Sequence, residues 1–405
     1  MKILSFVEGV GGVGIGGVPT AALKIGQALA GRGHRVALNI CGRIIPGAEE
    51  LVEQSVGGVF QTAEDHRAFG IVTYTAHRLW AFAPSMLWRL NHRVVKQVDF
   101  VMLNSLYSFP VLAGYIIARL NKKPYGLWPH GVLAPFQRSI SIRKKKIYDH
   151  IISRHILNGA SVIFYTAIGE REETSALNLT APSVIIPLGI DTSEYSQLPA
   201  SGKFRDRYLN GHMGPLVLSL GRLNAKKGLD LLIESVAQVA TQMPDVRLAI
   251  VGSGDPPEYS DQVKDWLRHH DIENRTVMTG LLTGQAKLTA FADADVFVLP
   301  SHAENFCFAM FEAMASRVPV IISDNLNFAQ EVKGHGAGLV VGRNPAEVAT
   351  AILELLVDEN LRKRMGESGF RLSQSYSWQN CGERIERTID CVLHGIPFPA
   401  DLTFQ

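Results

Sequence analysis

The chain has 405 residues, 46% of them hydrophobic, with 40 Lys+Arg against 38 Asp+Glu and 4 cysteines. This composition excludes a disordered chain, a collagen-like fibre and a disulfide scaffold, and the length predicts two domains, each large enough to bury its own core. The near-neutral total conceals an asymmetry, since residues 1–190 carry 20 Lys+Arg and 11 Asp+Glu whereas residues 191–405 carry 20 and 27. A basic first half suits an anionic partner such as lipid headgroups, with no nucleic acid expected; plain unevenness of surface charge is the alternative.

Along the chain, short Val, Ile and Leu runs alternate with amphipathic stretches, the pattern of βαβ units on parallel sheets. The first series comprises KILSFV, a helix over Thr20 to Arg32, HRVALNI, DFVMLNS, a helix from Pro110, PYGLW, SVIFY and SVIIPL. Met1 to Val7 reads as a strand running into glycines rather than a secretory leader. Phe100 to Ala118 is uncharged but interrupted by Asn104, Ser105, Ser108, Pro110 and Gly114, so it reads as strand, turn and helix rather than a membrane span.

Residues 191–213 are polar and irregular and read as a linker. The second series then runs PLVLSLG, the helix Leu229 to Thr241, VRLAIVG, the helix Ser260 to His270, TVMTG, DVFVLP, a helix beginning near Phe306, VPVIIS and GLVV. Helices over Pro345 to Leu356 and Asn360 to Gln374 follow. The predicted domains are therefore 1–190 and 214–375, and the last amphipathic stretch, within 376–405, has no strand after it and is expected to pack back on the first domain. Ligands of doubly wound sheets bind outside the strand C-termini, which predicts a cleft between the domains. Cys41, Cys307, Cys381 and Cys391 are too scattered for a metal site and fit a reducing compartment, so a cytoplasmic location is expected.

Two motifs invite other readings. Gly12, Gly14 and Gly17 match G-x-G-x-x-G between a strand and a helix. A nicotinamide site also needs an acidic residue at the end of the second strand, but that strand ends Asn39, Ile40, Cys41, Gly42, Arg43. Arg43 would suit a 2′-phosphate, which leaves an NADP-dependent oxidoreductase as an alternative. A glycine loop approaching a bound sugar or phosphate is preferred. Asp293 and Asp295 form D-A-D, but they precede a strand, opposite its active-site end, and are assigned to ending a helix and entering DVFVLP.

The chemistry is expected elsewhere. GRLNAKKG follows the first strand of the second domain and puts Arg222 and Lys227 at its C-terminal mouth, with Gly221 and Gly228 permitting close approach; two cations there suit a diphosphate. DVFVLPSHAENFCFAMFEAM runs from strand through loop into helix, with Glu304 in the loop and Glu312 in the helix. The amides of Asn305, Phe306, Cys307 and Phe308 are expected at the helix N-terminus, where unpaired N–H groups favour an anion.

Together these segments resemble the retaining glycosyltransferases of family 4, and the likeness covers nearly the whole chain. It rests on GGVPTAALKIGQALAGRGHRV, KKPYGLWPHGVLAPF, IIPLGID, LSLGRLNAKKGLDLLIES, LAIVGSGD, FADADVFVLPSHAENFCFAMFEAMASRVPVI and YSW. The resemblance implies the α/β GT-B fold, with two Rossmann-like, doubly wound parallel-sheet domains facing across a cleft. It also implies that Arg222 and Lys227 bind the donor diphosphate, that Glu304 faces the donor sugar, that Glu312 binds the nucleotide ribose and that His130 approaches the transferred sugar. Gly16 and Gly17 are expected near the donor phosphate, and Gly221 and Gly252 complete the donor site. The chain departs from the usual Gly-Gly after the VPVI strand: it has SDNLNFAQEV, keeping Glu331 without the glycines.

The implied reaction moves a hexose-type sugar from a UDP- or GDP-sugar to a hydroxyl of a saccharide or lipid-linked acceptor, with no metal and no other cofactor, in cell-surface polysaccharide or glycoconjugate synthesis. A nucleotide-sugar epimerase shares the architecture and stays as a further alternative. Arg78, Trp80, Phe82, Trp88, Arg89, His92, Arg93 and Lys96, with Arg143, Lys144, Lys145 and Lys146, interleave aromatic and basic residues and suit peripheral contact with an anionic membrane, here the inner face of the plasma membrane. Solvated helices over the core are the other reading.

Overall fold

The computed structural model describes residues 1–9, 17–42, 49–53, 55–61, 68–77, 80–90, 92–139 and 148–403. It divides into two compact units, Met1–Gly189 with Trp378–Gln405, and Ile190–Ser377.

The first unit is built on a sheet that, among the described residues, has eight strands: β1 (Lys2–Glu8), β2 (Arg35–Cys41), β3 (Val52–Glu53), β4 (Phe69–Tyr74), β5 (Phe100–Asn104), β6 (Tyr125–Trp128), β7 (Val162–Tyr165) and β8 (Ser183–Ile185). Their order is β3-β4-β2-β1-β5-β6-β7-β8, and the pairings are parallel. The inner strands are apolar on both faces because helices cover both; all five residues of β5 are buried. The uncharged run from Phe100 resolves into β5 and the helix Phe109–Leu120, which opens with Pro110 in its first turn. The helix Trp378–His394 buries Cys381, Ile385 and Ile389 and packs on the helix Gly17–Ala30, with Gly382 facing Ala28, and Glu386 holds His34 at 3.0 Å.

The second unit has, among the described residues, six parallel strands: β9 (Leu216–Leu220), β10 (Arg247–Val251), β11 (Thr276–Gly280), β12 (Val296–Leu299), β13 (Val320–Ser323) and β14 (Gly338–Val341), in the order β11-β10-β9-β12-β13-β14. The chain winds outward from β9 one way and from β12 the other, so the crevice at the C-terminal ends of these two strands is the topological switch point.

Residues 191–213 are not a free connector. Phe204 is fully buried, and the helix Lys203–Tyr208 is capped from a distance by Asp293, whose carboxylate accepts from Ser201 Oγ (2.8 Å) and the amides of Gly202 (2.5 Å), Phe204 (2.8 Å) and Arg205 (3.0 Å). Arg205 in turn donates to the Asp293 carbonyl and to Asp295. Polarity misled the sequence reading here, because the polar groups are spent on one another rather than on water. Asp293 and Asp295 thus end the helix Gly284–Asp293 and lead into β12 while serving this brace.

Candidate functional site

The loops after β9 and β12 meet at the switch point. Lys227 Nζ donates to Glu304 Oε1 at 2.8 Å, and Ser301 Oγ donates to the same oxygen at 3.0 Å. The two charged side chains are only 16% and 10% exposed. Burial opposes both charges, but each partner's field outweighs it: Lys227 is held above its ordinary value and Glu304 below, so both stay ionised. Lys226, next in line, is lowered, by burial first and then by Lys227. Gly228 has φ +63°, and a Cβ there would lie 2.2 Å from the Pro300 carbonyl, so only glycine lets the two loops touch.

Arg222 lies in the same loop but is half exposed, its Nη1 2.7 Å from Asp255 Oδ2. Gly221 and Gly252 bring the loops after β9 and β10 together: a Cβ on Gly252 would stand 1.8 Å from the Gly221 carbonyl oxygen. The part of Gly252 visible in the structure is therefore this backbone approach.

Glu312 sits in the helix Phe308–Ala315, and its Oε1 accepts from Lys287 Nζ at 2.9 Å, which also donates to the Tyr195 hydroxyl at 2.9 Å. The helix begins later than expected. Cys307 is its N-cap, with φ +57°, and only Phe308 of the four expected amides lies within it; Asn305 and Phe306 precede the cap. The left-handed turn at Cys307 interrupts the helical run, and Phe306 is drawn into an aromatic core with Phe311, Phe328 and Tyr376. Burial, then Glu304, pushes the Cys307 thiol up to about 12, so it is a neutral side chain there. Ser323 Oγ, ending β13, and Glu331 Oε2 are buried without a hydrogen-bond partner, two orphaned polar atoms in the region where the glycines were missing.

In the first unit His130 follows β6. Its φ is +53°, its ring is buried and stacks on Trp128 (5.4 Å, 1° between planes), and its Nε2 lies 3.2 Å from Asn104 Oδ1. Asn104 Nδ2 donates to Ser5 Oγ (2.9 Å) and the Phe6 carbonyl (3.1 Å), which leaves Oδ1 as acceptor and assigns the ring proton to Nε2. Burial lowers His130 to about 3, so the imidazole is neutral. Behind it Glu170 is fully buried; it accepts from the Gly131 amide (2.6 Å) and from the Thr166 amide and hydroxyl (2.7 Å each). Burial raises this carboxyl to about 7, against the lowering effect of those bonds.

Gly17 opens the helix Gly17–Ala30; Gly12, Gly14 and Gly16, and likewise Arg43, Arg78, Arg143 and Lys144 to Lys146, lie outside the described residues. Trp80 and Phe82 both pack edge-on to Phe109, and Trp88 is 67% exposed. Among the described residues no cluster of His, Cys, Asp or Glu is arranged to hold a metal, and no helix is long and apolar enough to cross a membrane. Sequence reasoning missed Lys287, Tyr195, Asp255, Asn104 and Glu170. Of these only Asn104 left a signal, a polar residue closing an otherwise apolar strand; the others acquire meaning through distant partners.

Both halves of the chain resemble known proteins. Residues 15–194 match the profile of Glycosyltransferase Family 4, and residues 201–371 that of Glycosyl transferases group 1. The chain is 29% identical over 228 residues to a GDP-mannose-dependent alpha-(1-6)-phosphatidylinositol monomannoside mannosyltransferase of Mycobacterium tuberculosis, a match that spans 54% of this chain and 58% of that protein. A phosphatidyl-myo-inositol mannosyltransferase of the same organism is 28% identical over 393 residues, 93% of each chain. The crystal structure of Anabaena HepE in complex with UDP and glucose superposes with a TM-score of 0.76 at 20% identity, covering 96% of this chain and 99% of that one. The fold is GT-B, and the chain carries in order a Glycosyltransferase Family 4 region and a Glycosyl transferases group 1 region, the make-up of a family 4-like glycosyltransferase.

Proposed function

We propose that the protein is a retaining glycosyltransferase that takes a hexose-type sugar from a nucleotide diphosphate donor and passes it to a hydroxyl of a saccharide or lipid-linked acceptor, in cell-surface polysaccharide or glycoconjugate synthesis. The observation that carries this reading is the buried Lys227–Glu304 pair at the switch point of the second sheet, with Arg222 in the same loop. A cation kept charged in a mostly buried loop suits an anion that arrives with the ligand. Donor phosphates would displace Asp255 from Arg222 and share Lys227 with Glu304, leaving Glu304 to accept from sugar hydroxyls. Glu312 would accept from the ribose, and the neutral imidazole of His130, with Nε2 engaged by Asn104, would offer Nδ1 to a hydroxyl of the transferred sugar.

In the reaction the bond from the anomeric carbon to the phosphate oxygen breaks as the acceptor oxygen bonds the same face, and the acceptor proton passes to the departing phosphate. Arg222 and Lys227 stabilise the negative charge that develops on that phosphate. These cations do the work a metal would otherwise do, so transfer is expected to survive chelation; loss restored by a divalent ion would remove that part. The relatives point to GDP-mannose as the first donor to try, with UDP-glucose beside it. Heat-unfolding shifts across a panel of UDP- and GDP-sugars test the donor assignment, since a ligand bound only by the native state raises its stability; no shift with any of them would sink it. The exposed Trp88 supports peripheral contact with an anionic membrane, and absence of cosedimentation with anionic liposomes at low salt would discard it.

A further inference from the structure

We propose that Glu170 is a positioning residue for His130, holding the backbone corner that presents the imidazole. This rests on the role of His130 proposed above. His130 and Gly131 are consecutive left-handed residues, with φ +53° and +77°. A non-glycine residue in that region is strained unless its surroundings hold it there. The peptide linking the two directs the Gly131 N–H at Glu170 Oε1, 2.6 Å away, while Oε2 takes both the amide and the hydroxyl of Thr166. One carboxylate thus ties the loop after β6 to the loop after β7, between Tyr165 at the end of that strand and the helix Ile168–Glu173.

The chemistry of the clamp explains the residue type. Three donors converge on two oxygens, so both oxygens must accept. A glutamine of the same shape would turn its own NH2 toward either Gly131 or Thr166, donor against donor. Through these bonds the Glu170 carboxyl fixes the direction of the 130–131 peptide and with it the seat of the ring between Trp128 and Asn104.

The test compares Glu170→Gln, His130→Ala and the double variant in sugar transfer, together with histidine ring NMR spectra in which the His130 signals are identified by their loss in His130→Ala. Glu170→Gln is expected to lower kcat about tenfold or more, because small displacements at a reacting centre are costly, to leave the donor KM within about twofold, and to shift the His130 ring signals. The double variant should be no slower than His130→Ala. Unmoved His130 signals, or losses that multiply in the double variant, would overturn the proposal. If the wild type transfers no sugar, the functional reading fails while the ring signals still decide the positioning. Should Glu170→Gln not fold, Thr166→Val removes one donor and keeps the carboxyl; it should shift the same signals to a smaller extent, and unmoved signals would again count against the clamp.

Discussion

Lys287 and Glu312, 25 positions apart, form an ion pair of 2.9 Å whose ammonium also reaches the Tyr195 hydroxyl, so one lysine joins the helix Gly284–Asp293, the helix Phe308–Ala315 and the segment Thr192–Tyr195. Their side chains are 18% and 17% exposed. Replacing Lys287 by Met strands a carboxylate that has lost most of its water, so Lys287→Met should cost roughly 1–3 kcal/mol. Adding Glu312→Gln should recover part of the loss in a double-mutant cycle followed by unfolding; strict additivity would show that the pair is not coupled.

Arg222 and Lys227 should separate binding from stability. The Arg222–Asp255 pair is exposed and contributes about 0–1 kcal/mol, so Arg222→Ala should leave the melting temperature nearly unchanged while lowering kcat/KM for transfer by roughly 10²-fold or more. Lys227→Ala should lose activity to a similar degree and also melt earlier, because Glu304 stays behind unpaired. Full activity in both variants would remove the diphosphate assignment.

Glu170 gives a pH dependence with a definite sign. Its folded value, about 7, lies above the ordinary 4.5, so between those limits the native chain binds a proton that the unfolded chain does not. The stabilisation is complete below the unfolded value and is lost as pH rises through the folded one. Of the groups around it, Glu173 adds to the rise, His130 is neutral, and Tyr165 is itself raised, by burial first. The melting temperature of the wild type relative to Glu170→Gln should therefore increase on acidification from about pH 7.5 to about pH 5; a constant difference would contradict the raised value.

Asp293 caps a helix it does not belong to. Asp293→Ala would orphan the three amides of Gly202, Phe204 and Arg205 together with the Ser201 hydroxyl, at about 2–4 kcal/mol for a capping carboxylate that is also buried. Hydrogen exchange over residues 201–208 should rise more than over β9. Uniform protection loss would mean that the segment is not a separate brace.

Periodicity and motif spacing carried the architecture, because a strand covered on both faces needs an unbroken apolar run and an amphipathic helix needs its stripe; β5, β9 and β12 are legible for that reason. Local chemistry also marked the loops that bear Arg222, Lys227 and Glu304. The start of the helix Phe308–Ala315 was misplaced because a left-handed cap on a cysteine has no sequence signature, and residues 191–213 were misread because their polar groups find partners about 90 positions away.

What the amino-acid order determined by itself is therefore the pair of doubly wound sheets, the glycines where backbones must touch, and the cations and carboxylates at the strand mouths. Only the tertiary structure decided which charge answers which: Lys227 with Glu304, Lys287 with Glu312, Arg222 with Asp255, Glu170 with the amide beyond His130. The reason is physical. Secondary structure follows from interactions within a few residues, whereas an ion pair depends on a distance of a few ångströms that exists only once strands far apart in the chain lie side by side.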